Sequence, residues 1–211
     1  VGAGAGDDGH AAQREGVVRA RPAQAGHRTA QTVLTIVGHE LVHAFQYDIG
    51  TYNPNPVVIA DRGIDRLPLW FVEGMAEFLS VGAIDPNTSM WVRDAASQPT
   101  LPTIRDLSNP KYFPYRWGQA LWAYIVGRWG DAAVGALLRT ACATGNAEIA
   151  LDINLGLRPD ELSAQWHQAL REAAAAVNSS ARRPGDYGRV LQEGRSELVT
   201  YDVSPALSPD G

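Results

Sequence analysis

The sequence predicts a mainly α fold with at most a small or incomplete β-sheet. Apolar residues recur at the three- and four-residue helical period in several separate stretches, whereas only VVRA at 17–20 and LVTYDV at 198–203 have the residue content of strands. At 211 residues and 45% apolar, the chain can bury one substantial core but not two of ordinary size. One main domain is therefore expected over residues 32–178. A weakly structured segment, 1–31, precedes it, and residues 179–211 follow as a linker and the start of a further element.

Residues 1–31 are rich in Gly, Ala, Arg and Gln, carry little to pack, and are expected to be mobile. From Thr32 to about Tyr47, Leu34, Val37, Leu41, Val42 and Phe45 keep the helical period, and Gly50 lies just past the expected end. Residues 50–68 hold three prolines and two glycines and read as a long loop. Pro68 suits the first turn of a second helix, in which Leu69, Phe71, Val72, Met75, Phe78 and Leu79 form a broad apolar face. Pro86, Pro99, Pro102 and Pro110 predict another loop, leading to a third helix in YRWGQALWAYIVGRWG. A fourth helix, DAAVGALLRTACATG, has Asp131 as its N-cap candidate. The fifth, RPDELSAQWHQALREAAAAV, gathers Pro159, Asp160 and Glu161 in its first turn. NSSARRPGDYGR then reads as a linker and SPDG at 208–211 as a tight turn.

Composition narrows the function classes. A net charge of −5, with no basic run longer than Arg182–Arg183, gives no electrostatic footprint for nucleic acid. The longest apolar stretches fall short of the roughly 18 residues that span a bilayer, so no transmembrane segment is expected. Residues 1–16 show neither a basic nor an apolar leader region. Cys142 is the single cysteine, which rules out an intrachain disulfide and a thiolate cluster; a metal in this chain must rest on histidine and carboxylate.

The stretch TIVGHELVHAFQYD offers such a site. On a helix His39 and His43, four residues apart, project from one face about 6 Å from each other, and Glu40 is placed to reach a water on a shared ion. Random placement yields this five-residue pattern in roughly one chain in two hundred of this composition. The ordinary alternative is a helix with surface histidines, but polar groups interrupting so apolar a helix would cost a few kcal/mol each if left unpaired. Zinc needs a third ligand, with a further position open if the site is catalytic. WFVEGMAEFLS supplies Glu73, with Glu77 four residues on, against the plain reading of two exposed helix carboxylates. Glu73 would ligate, and Glu77 would accept the free N–H of His39 and fix its tautomer. His10, His27 and His167 are expected to face solvent and are assigned no role.

HELVH followed by LPLWFVEGMAEF resembles the gluzincin peptidases, the thermolysin-like and aminopeptidase-like clan, and more narrowly the MA-like peptidase domain found in bacterial proteins beside a TolB-type β-propeller. The resemblance runs through YRWGQALWAYIVGRWG and LGLRPDELSAQWHQAL, over about residues 32–177, and YDVSPALSPDG looks like the first turn of a propeller blade. It implies a zincin-like helical core holding Zn2+ on His39, His43 and Glu73. It also implies Glu40 as general base, Tyr115 as the donor to the oxyanion, a peptide or protein substrate, a β-propeller in the full-length protein, and a periplasmic or extracellular setting. Tyr112 and Arg116 are close enough in sequence to take the role of Tyr115. Two departures stand out. There are 29 residues between His43 and Glu73, more than in the best-known gluzincins, and the weakly apolar start cannot build the sheet that precedes the first helix in a zincin. No G-x-M-E-N-like segment is present to hold a substrate amine. The rival readings are a non-catalytic interaction module attached to a propeller, which has no use for Glu40, and a zinc hydrolase acting on a non-peptide bond.

Overall fold

A computed structural model describes residues 22–51, 63–99, 101–178 and 187–188, and the regular structure among these is seven α-helices and two short 3-10 turns. The helices are α1 (Pro22–Thr51), α2 (Leu69–Val81), α3 (Pro86–Ala96), α4 (Pro114–Trp129), α5 (Ala132–Thr144), α6 (Ala147–Leu155) and α7 (Pro159–Asn178); the turns are Gly63–Arg66 and Asp106–Ser108. There is no strand among the described residues, so the fold is mainly α as the periodicity predicts. VVRA, LVTYDV and the propeller-like SPDG turn lie outside the described residues.

The helix count differs from the sequence expectation at two places, both for reasons of capping. Pro86, read as a breaker, occupies the first turn of α3, where its missing N–H is no loss. Asp85 caps that helix by accepting from the Thr88 backbone N–H at 2.7 Å. Asn146 does the same for α6, accepting from Glu148 N and Ile149 N at 2.8 and 3.1 Å; a nine-residue helix is too short to announce itself by period alone. Asp131 stands at the N-cap of α5 but makes no capping bond with its side chain. The first helix also begins at Pro22, ten residues before the expected Thr32, and carries Gly50 inside its last turn. Residues 22–31 are thus helical rather than weakly structured.

The core forms between α2 and α4, with α5, α6 and α7 closing around them. Trp70, Phe71, Met75, Leu121, Trp122, Ile125, Leu137, Leu151, Leu162 and Trp166 are all 2% exposed or less. Trp122 Nε1 donates to the Phe71 carbonyl at 3.0 Å, and Ser163 Oγ accepts from Ile104 N at 3.0 Å while donating to the Pro159 carbonyl at 2.6 Å, so these polar groups enter the core satisfied. His167 is part-buried rather than solvent-facing, bonded through Nε2 to the Pro102 carbonyl at 2.8 Å. It ties α7 to the segment that begins at Leu101.

The α2–α4 crossing is set by two glycines. A Cβ on Gly74 would overlap the backbone of Gly118, and a Cβ on Gly118 would overlap the Trp70 carbonyl and Gly74 Cα. Backbone meets backbone there, so no rotamer change relieves the clash. This close approach places Tyr115 and Arg116 of α4 beside Glu73 and Glu77 of α2. Gly118→Ala is expected to lower unfolding stability by about 3 kcal/mol. Gly127→Ala, on the same helix but facing open space, should raise it by about 0.5 kcal/mol through helix propensity. Urea titration followed by circular dichroism checks both; equal midpoints for the two variants would contradict the backbone contact.

The packing of α1 is the reverse of an ordinary amphipathic helix. Val33, Leu34, Ile36, Val37, Leu41 and Phe45 are each half exposed or more, whereas the face turned toward the core carries His39, Val42, His43, Gln46 and Ile49. The apolar stripe faces out and the polar residues face in. An amphipathic helix buries its polar side only where partners wait for it.

Candidate metal centre

Three side chains from two helices converge on the inner face of α1. His39 Nε2 lies 3.2 Å from Glu73 Oε2, and His43 Nε2 lies 3.3 Å from the same oxygen. The three candidate ligand atoms fall within 4.8 Å of one another, and the side chains are 12% to 18% exposed. The i, i+4 spacing on α1 provides the pair, as the sequence predicts, and the α1–α2 packing delivers Glu73 across to it.

The second nitrogen of each imidazole is already engaged. Gln46, 1% exposed, donates from Nε2 to the Val72 carbonyl at 2.9 Å, which turns its Oε1 toward His43 Nδ1 at 2.8 Å. An amide oxygen only accepts, so Nδ1 carries the proton and Nε2 presents a lone pair to the Glu73 oxygen. At His39, Nδ1 faces Glu77 Oε2 at 3.3 Å and Nε2 faces Glu73. Neutral imidazoles held this way would point lone pairs at a carboxylate, an arrangement that needs positive charge between them, either protons or a metal ion. One divalent ion at that point replaces two protons.

Two of the three ligand spacings fit, and the third, between the histidines, is no more than 4.8 Å. Zinc ligands at about 2.0–2.2 Å in tetrahedral array stand roughly 3.3–3.6 Å apart, and the two His–Glu separations are 3.2 and 3.3 Å. With two histidines and one carboxylate as ligands, the fourth position of a tetrahedral ion is left to water or substrate.

Beyond the expected Glu77 contact lies a further set of supporting links that the sequence did not reveal. Arg116 Nη1 donates to Glu77 Oε1 at 2.9 Å and to Asp85 Oδ2 at 3.0 Å, and that Asp85 oxygen is also the cap of α3. The path His39–Glu77–Arg116–Asp85 therefore joins four elements of the chain to one imidazole, and the guanidinium balances two carboxylates. Gln46 was equally hidden, although a glutamine three residues after His43 on the same face is its one visible signal.

The structure places the three oxyanion candidates differently. Tyr112 packs against the core, edge-on to Trp117 at 5.8 Å with Lys111 Nζ 4.8 Å over its ring, and Arg116 is committed to its two carboxylates. Tyr115 stacks on His39, ring centroids 5.7 Å apart. Burial, then the charge of Glu73 and its hydrogen bond to the hydroxyl, then the charges of Glu40 and Glu77, raise the Tyr115 phenol above its ordinary value, so it remains a donor at neutral pH. Glu40, the residue after His39, is exposed. No helix among the described residues is long and apolar enough to cross a membrane. No family model matches the chain, and no curated protein and no solved structure matches it at a significant level.

Proposed function

We propose that the chain is a zinc-dependent peptidase, with His39, His43 and Glu73 as ligands. The observation that carries this reading is the donor set: two imidazoles, their far nitrogens held by Gln46 and Glu77, aim their Nε2 atoms at one carboxylate oxygen at tetrahedral-edge distance. Zinc held there would supply a Lewis acid and bring the pKa of a water toward about 7. Glu40, adjacent to His39 and open to solvent, takes the proton of the attacking water and passes it to the leaving amine nitrogen. Tyr115, kept protonated, donates to the carbonyl oxygen as negative charge develops on it. Arg116 and Asp85 act through Glu77 to hold the His39 ring in place.

A second reading is an interaction module, favoured by the apolar side chains that α1 leaves exposed along one face. Cleavage of an unstructured protein such as casein separates the two. A peptidase should cut it, stop when a chelator is added, and resume when zinc is restored in excess. Cleavage that persists in chelator, or zinc-loaded protein that cuts nothing, removes the peptidase reading.

A further inference from the structure

A row of rings leads outward from the metal centre. Tyr115 lies nearly parallel to His39, at 24° and 5.7 Å; Phe113 follows at 5.1 Å and 33° from Tyr115; Trp91 of α3 follows at 5.8 Å and 42° from Phe113. In the core, by contrast, Trp70–Phe71, Phe71–Trp122 and Trp117–Trp166 meet edge to face, at 66° to 84°. The core rings are buried, whereas the outer two rings of this row keep surface that another ring can cover. Trp91 and Phe113 are 42% and 44% exposed, so two large apolar side chains stand uncovered on a continuous path from the cluster. Carboxylates gather at its inner end, Glu40, Glu73 and Glu77, where Arg116 is already paired. Such a surface repels an acidic side chain and suits a flat apolar one.

We infer that Trp91, Phe113 and Tyr115 form a substrate subsite that takes an aromatic side chain next to the scissile bond. This rests on the zinc-peptidase reading, because the row gains its meaning from ending at the metal ligands. Trp91 and Phe113 determine specificity: they contact the part of the substrate that does not react and position the bond relative to His39 and Glu40. The row joins α3 to the first turn of α4, so the Asp85 cap that starts α3 also fixes where Trp91 stands.

The test uses the full chain, zinc-loaded, with two hydroxamates that differ only in their tail: 3-phenylpropionohydroxamate and acetohydroxamate. Calorimetric titration is expected to show the phenyl compound binding about tenfold tighter or better, since ring stacking and apolar burial are added to the same metal contact. Trp91→Ala and Phe113→Ala should each reduce that preference about threefold or more, leaving acetohydroxamate affinity within about twofold of wild type, and Trp91→Phe should restore most of it. Equal affinity for the two compounds in the wild-type chain, or a preference untouched by both alanine variants, overturns the inference. Zinc content measured on the same samples keeps the readings apart. A chain that takes up no zinc and binds neither compound defeats the metal centre and the subsite with it. A clear phenyl preference in a zinc-loaded chain that cleaves no peptide keeps the ring row as an aromatic-binding surface beside the metal, and removes the peptidase together with the assignment to a scissile bond.

Discussion

Glu73→Ala is expected to weaken zinc binding about a thousandfold or more, because it removes the one anionic ligand and leaves two neutral imidazoles without the charge that holds a divalent ion. His43→Ala should behave alike, since the candidate ligand group among the described residues is His39, His43 and Glu73, and only two of the three would remain. Gln46→Leu makes the informative comparison. It leaves all three ligands in place but frees His43 Nδ1 from its acceptor at 2.8 Å, so the ring loses its fixed tautomer and orientation. Loss of a partner of this kind costs about ten- to a hundredfold in metal affinity. Competition against a chromogenic chelator gives all three values on one scale. A Glu73→Ala chain that keeps full zinc content would show that the ion, if bound, is held elsewhere. A Gln46→Leu chain with wild-type affinity would show that the Gln46 contact does not position His43.

Much of this site was legible in the sequence because a helix converts spacing into direction. His39 and His43, four apart, share a face, and so do Glu73 and Glu77; the apolar setting of both pairs marked them as inward-facing. The expected Glu77 contact with the His39 ring is present at 3.3 Å. Legibility failed where the cause was not periodic. The apolar stripe of α1 follows the helical period as well as a core face does, yet it points outward, because the inward direction was decided by the hydrogen-bond partners waiting on α2 and not by hydropathy. Arg116 and Asp85 are 31 residues apart and meet only because the Gly74–Gly118 contact draws α4 onto α2, a tertiary event that no local window reports. The α3 helix was lost because proline was weighed as a breaker without the Asp85 cap before it.

The most direct measurement of the central claim, metal-assisted hydrolysis with Glu40 as base, is the pair of zinc content and kcat/KM for Glu40→Gln. Glu40 is exposed, and glutamine matches it in size and helix propensity, so neither the packing of α1 nor the three ligands should be disturbed. The amide cannot accept a proton, and removal of a general base costs about 10²–10⁴ in rate. The expected result is a chain with about one zinc, the wild-type unfolding midpoint, and cleavage of an unstructured protein reduced about a thousandfold. Full zinc with unchanged turnover would contradict the account, because the water would then be activated without the residue on which the mechanism depends.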